Sequence, residues 1–537
     1  MDNIDIAIVG AGSAGCILAN RIINNTNYNV LLIEAGPRDN SPVIHIPLGY
    51  GMTFYNKKIN WNFYSDSQNN LFNREIYYPR GKVLGGSSSI NGMVYARGLN
   101  TDYDNWSLNS ELSLSNIKQS FDEIEQTVDS SVSNLQQNKV PVNDVSDSHH
   151  PLLKYFFNGC RDMGIKFNKN LNSDIADQVG HYNITTFKGS RYSSSKIFLK
   201  SILKNKRLTL LTKACVKKII FKNKKVKTIE ILNNNKIIKI NPKIGTILSA
   251  GSIMTPYILM HSGIGDANKL KNFDKEIIIH NSNVGKNLQD HLGLDYLFKT
   301  FHPSLNRSLG TWSGRIKEIM NYLYNKKGAF SLSLNQGGGY LNWKSKNNYP
   351  NLQIYFNPIT YSISHQNKRP LLKTDKFDGF IIGYNSCRPK SLGEISLKSP
   401  SLNEHPIINP NFLSHEEDIH DVKCAVDFIK NLSKTEPINK IRENSVNNNL
   451  LNGDDNEMLS HFKENATSVY HPCGTCKMDK DPSKGVVSDH FKVHGLENLW
   501  ILDASVFPNI TSGNINAPVM MLANLGSKII IDQINKI

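Results

Sequence analysis

"IDIAIVGAGSAGCILANRIINN", residues 4–25, decides the fold. It opens on an apolar run, turns through Gly10-x-Gly12-x-x-Gly15, and continues with Cys16, Ile17, Ala19, Ile22 and Ile23 at helical spacing. A second apolar run, "YNVLLIEAG" (28–36), carries Glu34 near its end, 19 residues after the last glycine. Strand, glycine turn, helix and strand make a βαβ dinucleotide-binding unit. Gly10 allows the tight turn, Gly12 lets backbone approach a pyrophosphate, and Gly15 permits close helix–strand contact. Ser13 and Ala14 stand at the helix N-terminus, where unpaired N–H groups favour a phosphate. Glu34, followed by Ala35, can accept a hydrogen bond from an adenosine ribose. An acid there disfavours a 2′-phosphate, so NADP is set aside while FAD and NAD remain.

Around this unit the chain is long enough for several cores. Its 537 residues exceed the roughly 250–300 at which one hydrophobic core stops growing. A composition 39% hydrophobic and 20% charged is that of a globular protein. No apolar run approaches the length of a membrane span, and the N-terminus enters a strand without a basic, then apolar, leader. Seven scattered cysteines do not form a disulfide framework, so a reducing compartment such as the cytoplasm is expected. The net charge of +16 is concentrated in stretches such as "FKNKKVKTIEILNNNKIIKINPK" (221–243), which reads as the solvated face of a β-meander. That charge leaves room for peripheral contact with anionic lipid. No nucleic-acid-binding module accompanies it.

Residues 41–75 are aromatic and irregular, as a loop crossing a cofactor would be, and 79–98 form a glycine–serine loop entering a helix. Residues 105–170 read as mainly helical, with a polar segment at 127–150 expected to be flexible. Short β-branched runs fill 208–250, and 295–465 mix aromatic strands with amphipathic helices. Alternating α/β character at both ends and a β-rich middle point to a discontinuous nucleotide-binding domain with a second domain inserted.

Near the C-terminus, "SVYHPCGTCKM" (468–478) admits three chemistries. Cys473 and Cys476 form C-x-x-C, as in a redox dithiol. With His471 they form H-x-C-x-x-C, but structural zinc needs four ligands and no second Cys/His cluster exists. The "PCGTC" echo of zinc deaminases lacks its H-x-E partner. The third reading makes His471 a general base, with the cysteines packing the turn.

Five separated blocks, in order, resemble the glucose–methanol–choline (GMC) flavin oxidoreductases. They are the N-terminal unit, "PRGKVLGGSSSINGMVYARG" (79–98), "GSIMTPYILMHSGIG" (251–265), "NVGKNLQDHLG" (283–293) and the closing "HPCGTCKM … VHGLENLWILDASVFP … SGNINAPVMM". The last block is most similar to that of choline dehydrogenases and related alcohol dehydrogenases. The resemblance implies an α/β protein with a discontinuous Rossmann-like FAD-binding domain and an α+β substrate domain built on an antiparallel sheet. The expected divisions are 1–150, 191–294 and 466–537 for the FAD domain, with 295–465 as substrate domain and 151–190 connecting.

The resemblance also implies FAD as cofactor. It places Gly86, Ser87 and Gly92 against the isoalloxazine, backbone around Asn91, Met93 and Val94 at its N5 and O4 edge, and Arg80 and Val83 among the cofactor contacts. Val216 would meet the adenine, and Asp503 and Ala504 the ribityl chain and pyrophosphate. Some members tether FAD through a histidine at the position held here by Ile90, so FAD is expected to be non-covalent.

His471 is then the catalytic histidine and Asn516 its partner, with Asn514 the competitor for that role. His471 would take the hydroxyl proton as hydride leaves the carbinol carbon for flavin N5, while Asn516 holds the oxygen. The expected reaction is oxidation of a primary alcohol to an aldehyde, with oxygen or quinone as acceptor. Tyr340, Tyr355, Tyr361 and Tyr384 are candidates for a cage around a choline-like cation. His261, His291 and His494 read as structural. Cys387-Arg388-Pro389 raises a light-driven fatty acid decarboxylase as an alternative; a hydroxynitrile lyase and a silent flavin-binding module are the others. Oligomeric state is not legible.

Overall fold

The structure, a computed structural model, describes residues 3–536 apart from 130, 175, 347–348, 365–370, 402 and 444–452. The opening stretch folds as strand β1 (Ile6–Val9), helix α1 (Ser13–Asn25) and strand β2 (Val30–Ile33). Three further strands, β3 (Leu208–Leu211), β4 (Gly245–Leu248) and β5 (Leu499–Ile501), complete a sheet ordered β3-β2-β1-β4-β5. Every pairing in it is parallel. β1, β2, β4 and β5 are buried at every residue, as apolar runs covered on both faces must be. Val9 lies opposite both Ile33 and Leu248, so the three central strands end together. A ligand-binding crevice belongs at that carboxyl edge. Gly10 follows at φ +103°, and a Cβ there would meet the Ser249 carbonyl oxygen at 2.4 Å. Only glycine can make this turn.

A seven-stranded sheet forms the other half. Its spatial order is Thr467–Ser468, Leu292–Lys299, Gly379–Ser386, Leu352–Asn357, Gly337–Leu341, Gln178–His181 and Lys166–Phe167. It is antiparallel except for the last pair. Strand periodicity divides its central residues between two faces. Tyr296, Phe298, Phe356 and Phe380 fill the core, with Phe380 stacked on Phe298 and Phe356 at 5.1 and 5.3 Å. Gly293, Asp295, Leu297, Gln353, Tyr355, Asn357, Ile381 and Asn385 alternate with them and face a cavity.

The lysine-rich 221–243 stretch lies in an antiparallel meander of Ala214–Lys222, Lys225–Asn233 and Lys236–Ile240, with most of its lysines outside. One local expectation needs correction. The polar 127–150 segment contains Val140–Asn143, which pairs in parallel with Glu125–Val128. Burial of Val140 and Val142 outweighs the polar composition around them.

Candidate active site

One cavity of about 720 Å³ runs from the glycine turn to the antiparallel sheet. At its first end lie Gly10, Gly12, Ser13 and Ala14. Gly12 caps α1 without any side-chain bond, leaving the N-terminal N–H groups for an anion. Gly15 lies behind the wall, where a Cβ would sit 1.8 Å from the Gly10 carbonyl oxygen. Its role is packing. Glu34 and Ala35 follow along the cavity, with Ala214, Cys215 and Val216 beside them. The Glu34 carboxylate accepts N–H bonds from Ala11 (3.1 Å) and Gly36 (2.8 Å), while burial pushes its pKa up to about 7.

The second glycine loop closes over the first: a Cβ on Gly86, at φ +55°, would meet the Gly12 Cα at 2.7 Å. Gly86, Ser87, Ile90, Asn91, Gly92, Met93 and Val94 all line the cavity. Val83 does not; it is fully buried against Ile44, Ile59 and Ile90, so its expected cofactor contact is corrected to a packing role. Ser87 Oγ accepts from Arg80 Nη2 at 2.7 Å, and Asn91 Oδ1 accepts from Arg191 Nη1 at 2.7 Å and Met93 N at 3.2 Å. Met93 is held at φ +65°, a conformation costing on the order of 1–3 kcal/mol for a side-chain-bearing residue.

Arg191 has no counterpart in the sequence reading. It is 1% exposed and bonds the Ile44 and Ser88 carbonyls as well as Asn91, staking down the serine loop from behind. Asp503 and Ala504 line the cavity on the opposite side. The Asp503 carboxylate is spent on Gly251 N (2.8 Å), Thr255 Oγ1 (2.6 Å) and Ser505 N (2.7 Å). It fixes the start of the Gly251–His261 helix.

At the far end stands His471. Asp290 Oδ1 accepts its backbone N–H at 2.7 Å, and Arg80 Nη1 donates to the Tyr470 carbonyl at 2.6 Å. Between these clamps Tyr470 is held at φ +68°. His471 Nδ1 lies 2.8 Å from His291 Nδ1, and His291 Nε2 lies 3.1 Å from the Cys387 carbonyl oxygen. A carbonyl only accepts, so His291 carries its proton on Nε2 and its bare Nδ1 accepts from His471 Nδ1–H. His471 Nε2 is therefore a lone pair facing the cavity. Asn514 Nδ2 is 3.1 Å from that nitrogen, and Gln353 Nε2 donates to Asn514 Oδ1 at 3.5 Å, which sets the amide's orientation. Burial, His291 and Arg80 hold His471 well below the usual imidazole pKa, so the ring is neutral.

The expected partner was Asn516, and the geometry corrects this. Asn516 Oδ1 accepts from Ser13 Oγ at 2.7 Å, tying the start of the Asn516–Ile534 helix to the start of α1. Asn514, two residues earlier in an irregular loop, is the side chain beside His471. Tyr355 and Tyr361 line the cavity, whereas Tyr340 and Tyr384 do not. Asp295 joins them there, held above the usual carboxylate range by burial. Gly383 leaves space for both neighbours, since a Cβ there would sit 2.0 Å from the Tyr355 ring and 2.5 Å from Asp295 Oδ1.

Cys387, Cys473 and Cys476 are completely buried, unbonded to one another and absent from the cavity wall. Among the described residues no cluster could hold a metal ion. The cavity's lining suits a long dinucleotide: an anion site at α1, an acid for a ribose, and a far stretch walled by the serine loop and His471. These are residues an FAD would use.

Residues 4–293 and 389–523 match two family models, both described as GMC oxidoreductase. The chain is 34% identical to alcohol dehydrogenase [acceptor] of Pseudomonas putida, covering 99% of this chain and 96% of that protein. It is 30% identical to the mitochondrial choline dehydrogenase of Mus musculus, covering 98% and 89%. Among solved structures, pyridoxine 4-oxidase from Mesorbium loti superposes with a TM-score of 0.84 at 25% identity, covering 98% and 99%. A formate oxidase gives 0.89 at 23% identity, a likeness of fold. The chain belongs to the GMC oxidoreductase family of FAD-dependent enzymes acting on CH–OH donors.

Proposed function

We infer that the protein oxidises a primary alcohol to an aldehyde, with His471 as base and Asn514 as the group that holds the substrate oxygen. The observation that carries this is the lone pair of His471 Nε2, aimed into the cavity beside the Asn514 amide. FAD, when bound along the cavity, supplies the hydride acceptor. An alcohol whose oxygen enters between the two side chains replaces the Asn514–His471 hydrogen bond: it gives its proton to His471 Nε2, while Asn514 Nδ2–H donates to the oxygen as negative charge grows on it. Nδ1 keeps its bond to His291 throughout, so the ring does not turn as it gains the proton. Ile90 cannot bond covalently to a flavin, which supports dissociable FAD. The buried Cys387 thiol, away from the cavity, speaks against the decarboxylase.

Asp295 bears on which alcohol is taken. It is a half-buried acid in the cavity wall, and among the described residues its carboxylate accepts from the hydroxyls of Tyr355 and Tyr361. An ammonium-bearing alcohol of the choline type would supply its counter-charge and stack on Tyr355 and Tyr361. Anaerobic addition of an alcohol panel to the holoenzyme, watching the flavin absorbance, tests the reading. Bleaching by primary alcohols is expected, and no bleaching by any of them would overturn it. Reoxidation of the bleached enzyme by air or by a quinone then separates oxidase from dehydrogenase.

A further inference from the structure

The Trp312–Asn325 helix is amphipathic in the reverse sense. At about 100° per residue, Trp312, Ile316, Ile319 and Leu323 share one narrow arc, and Met320 and Tyr324 widen it along one edge. All six point to solvent, with exposures of 77, 47, 43, 58, 42 and 77% in that order. The opposite arc, turned toward the protein, carries Glu318, Asn321, Tyr322 and Asn325, of which only Tyr322 is buried. Glu318 is engaged there, accepting the Ala329 N–H at 3.0 Å. A helix on a water-facing surface normally buries its apolar stripe; this one displays it.

The charges around the stripe indicate what covers it. Arg315 and Lys317 stand on its two flanks, and Lys326 and Lys327 close its C-terminal end, all exposed. The helix's single acid, Glu318, faces inward. A two-fold contact with a second copy would set this patch against itself and bring like charges together. An anionic bilayer meets both features: it takes the apolar arc, and its headgroups pair with the lysines and arginine as their stems lie along it. Tryptophan and tyrosine at the two ends suit the headgroup boundary. Beneath the helix, Leu309, Ala329 and Ile359 pack with Leu334 and Tyr361, which also line the catalytic cavity.

We propose that the Trp312–Asn325 helix seats the protein on an anionic lipid surface. This does not depend on which alcohol is oxidised. The holoenzyme should float with phosphatidylcholine vesicles containing about 30 mol% phosphatidylglycerol and much less with phosphatidylcholine alone, the difference shrinking in high salt. The W312S/L323S variant should lose at least about tenfold in vesicle affinity while keeping its flavin and its turnover of a water-soluble alcohol. Brominated acyl chains should quench part of the tryptophan emission, and that part should vanish in W312F. Equal flotation of wild type and W312S/L323S, or no flotation of the wild type, would overturn the proposal. So would a concentration-dependent dimer in light scattering that W312S/L323S abolishes, since a second copy would then be the occupant.

Discussion

His291 and His471 meet Nδ1 to Nδ1 at 2.8 Å with their ring planes at 90°. Such a pair holds one proton between two nitrogens, and the Cys387 carbonyl on the far side of His291 decides whose it is. The tautomer of the base is thus set by a backbone oxygen two bonds away. Replacing His291 by Phe frees His471 to take the other tautomer and to rotate. By analogy with other groups that fix a catalytic tautomer, kcat should fall about 10²-fold or more with FAD still bound. His291→Asn, which keeps an acceptor, should recover part of the loss. Equal kcat and an unchanged pH–rate profile in His291→Phe would show that the contact orients nothing.

Asn514 and Asn516 should separate cleanly. Asn514→Ala removes the donor to the reacting oxygen, for which a loss of about 10²–10³ in kcat is expected. Asn516→Ala removes the tie to Ser13 and should weaken flavin retention more than it slows the chemical step. Stopped-flow flavin reduction and flavin-loss measurements on both variants distinguish these effects; the reverse pattern would restore Asn516 as the partner.

If Asp295 meets a cationic substrate, Asp295→Asn should raise KM for choline at least about tenfold, equivalent to about 1.4 kcal/mol. KM for a neutral alcohol should change little or fall. Parallel changes for both substrates would assign Asp295 to shaping the cavity alone.

His261 provides a pH signature. It is 4% exposed, lies edge-on to Tyr257 at 4.4 Å, and its ring nitrogens make no hydrogen bond among the described residues. Burial lowers its pKa to about 4, whereas the unfolded chain takes this proton near 6.5. As pH falls from about 6.5 toward 4, the unfolded state gains a proton that the folded state refuses, so stability is lost across that window, by at most about 1.4 kcal/mol per pH unit. Denaturant unfolding of His261→Phe against wild type should therefore diverge in the variant's favour below pH 6.5 and run parallel above it.

Asp102 and Arg388 brace the loop that delivers Asn514. Asp102 is 1% exposed and accepts from Arg388 Nε (3.0 Å), Ser512 N (2.9 Å), Ser512 Oγ (2.7 Å) and Leu99 N (2.8 Å). Asp102→Ala leaves the Leu99 and Ser512 N–H groups unpaired and strips Arg388 of its counter-charge, and a loss of about 3–5 kcal/mol in unfolding free energy is expected. A fall of kcat in the same variant at temperatures where it remains folded would show that the brace also serves Asn514.

Local pattern carried much of this architecture. The glycine turn, its flanking strands and Glu34 could be read from residues 4–36 because the β1–α1–β2 contacts are close in sequence, although the Ser249 carbonyl that crowds Gly10 is not. The turn around His471 admitted three local readings, and the resemblance to the GMC family singled out the histidine. What stayed hidden depends on long-range placement. Asn514 and Asn516 are two residues apart, and only the point where the last helix begins turns one toward His471 and the other toward Ser13. His291 looked structural because nothing within "NLQDHLG" shows that it touches a residue 180 positions away. Arg191 sits in "SRYSSS", where no periodicity or motif betrays a buried arginine. The outward apolar face of Trp312–Asn325 has the same spacing as a buried one. Pattern alone cannot say which side meets the protein.

The parallel sheet has a consequence for how the chain is made. Its central strand is laid down within the first ten residues, yet its last edge strand is Leu499–Ile501. During synthesis the nucleotide half waits, incomplete at one edge, until Leu499–Ile501 has emerged. The antiparallel half needs Thr467–Ser468 for its own edge and finishes only slightly sooner. Such far-separated pairings fold slowly and leave unpaired strands exposed meanwhile. His471, the proposed base, belongs to the same late segment, so the candidate site is assembled only when that segment joins both halves.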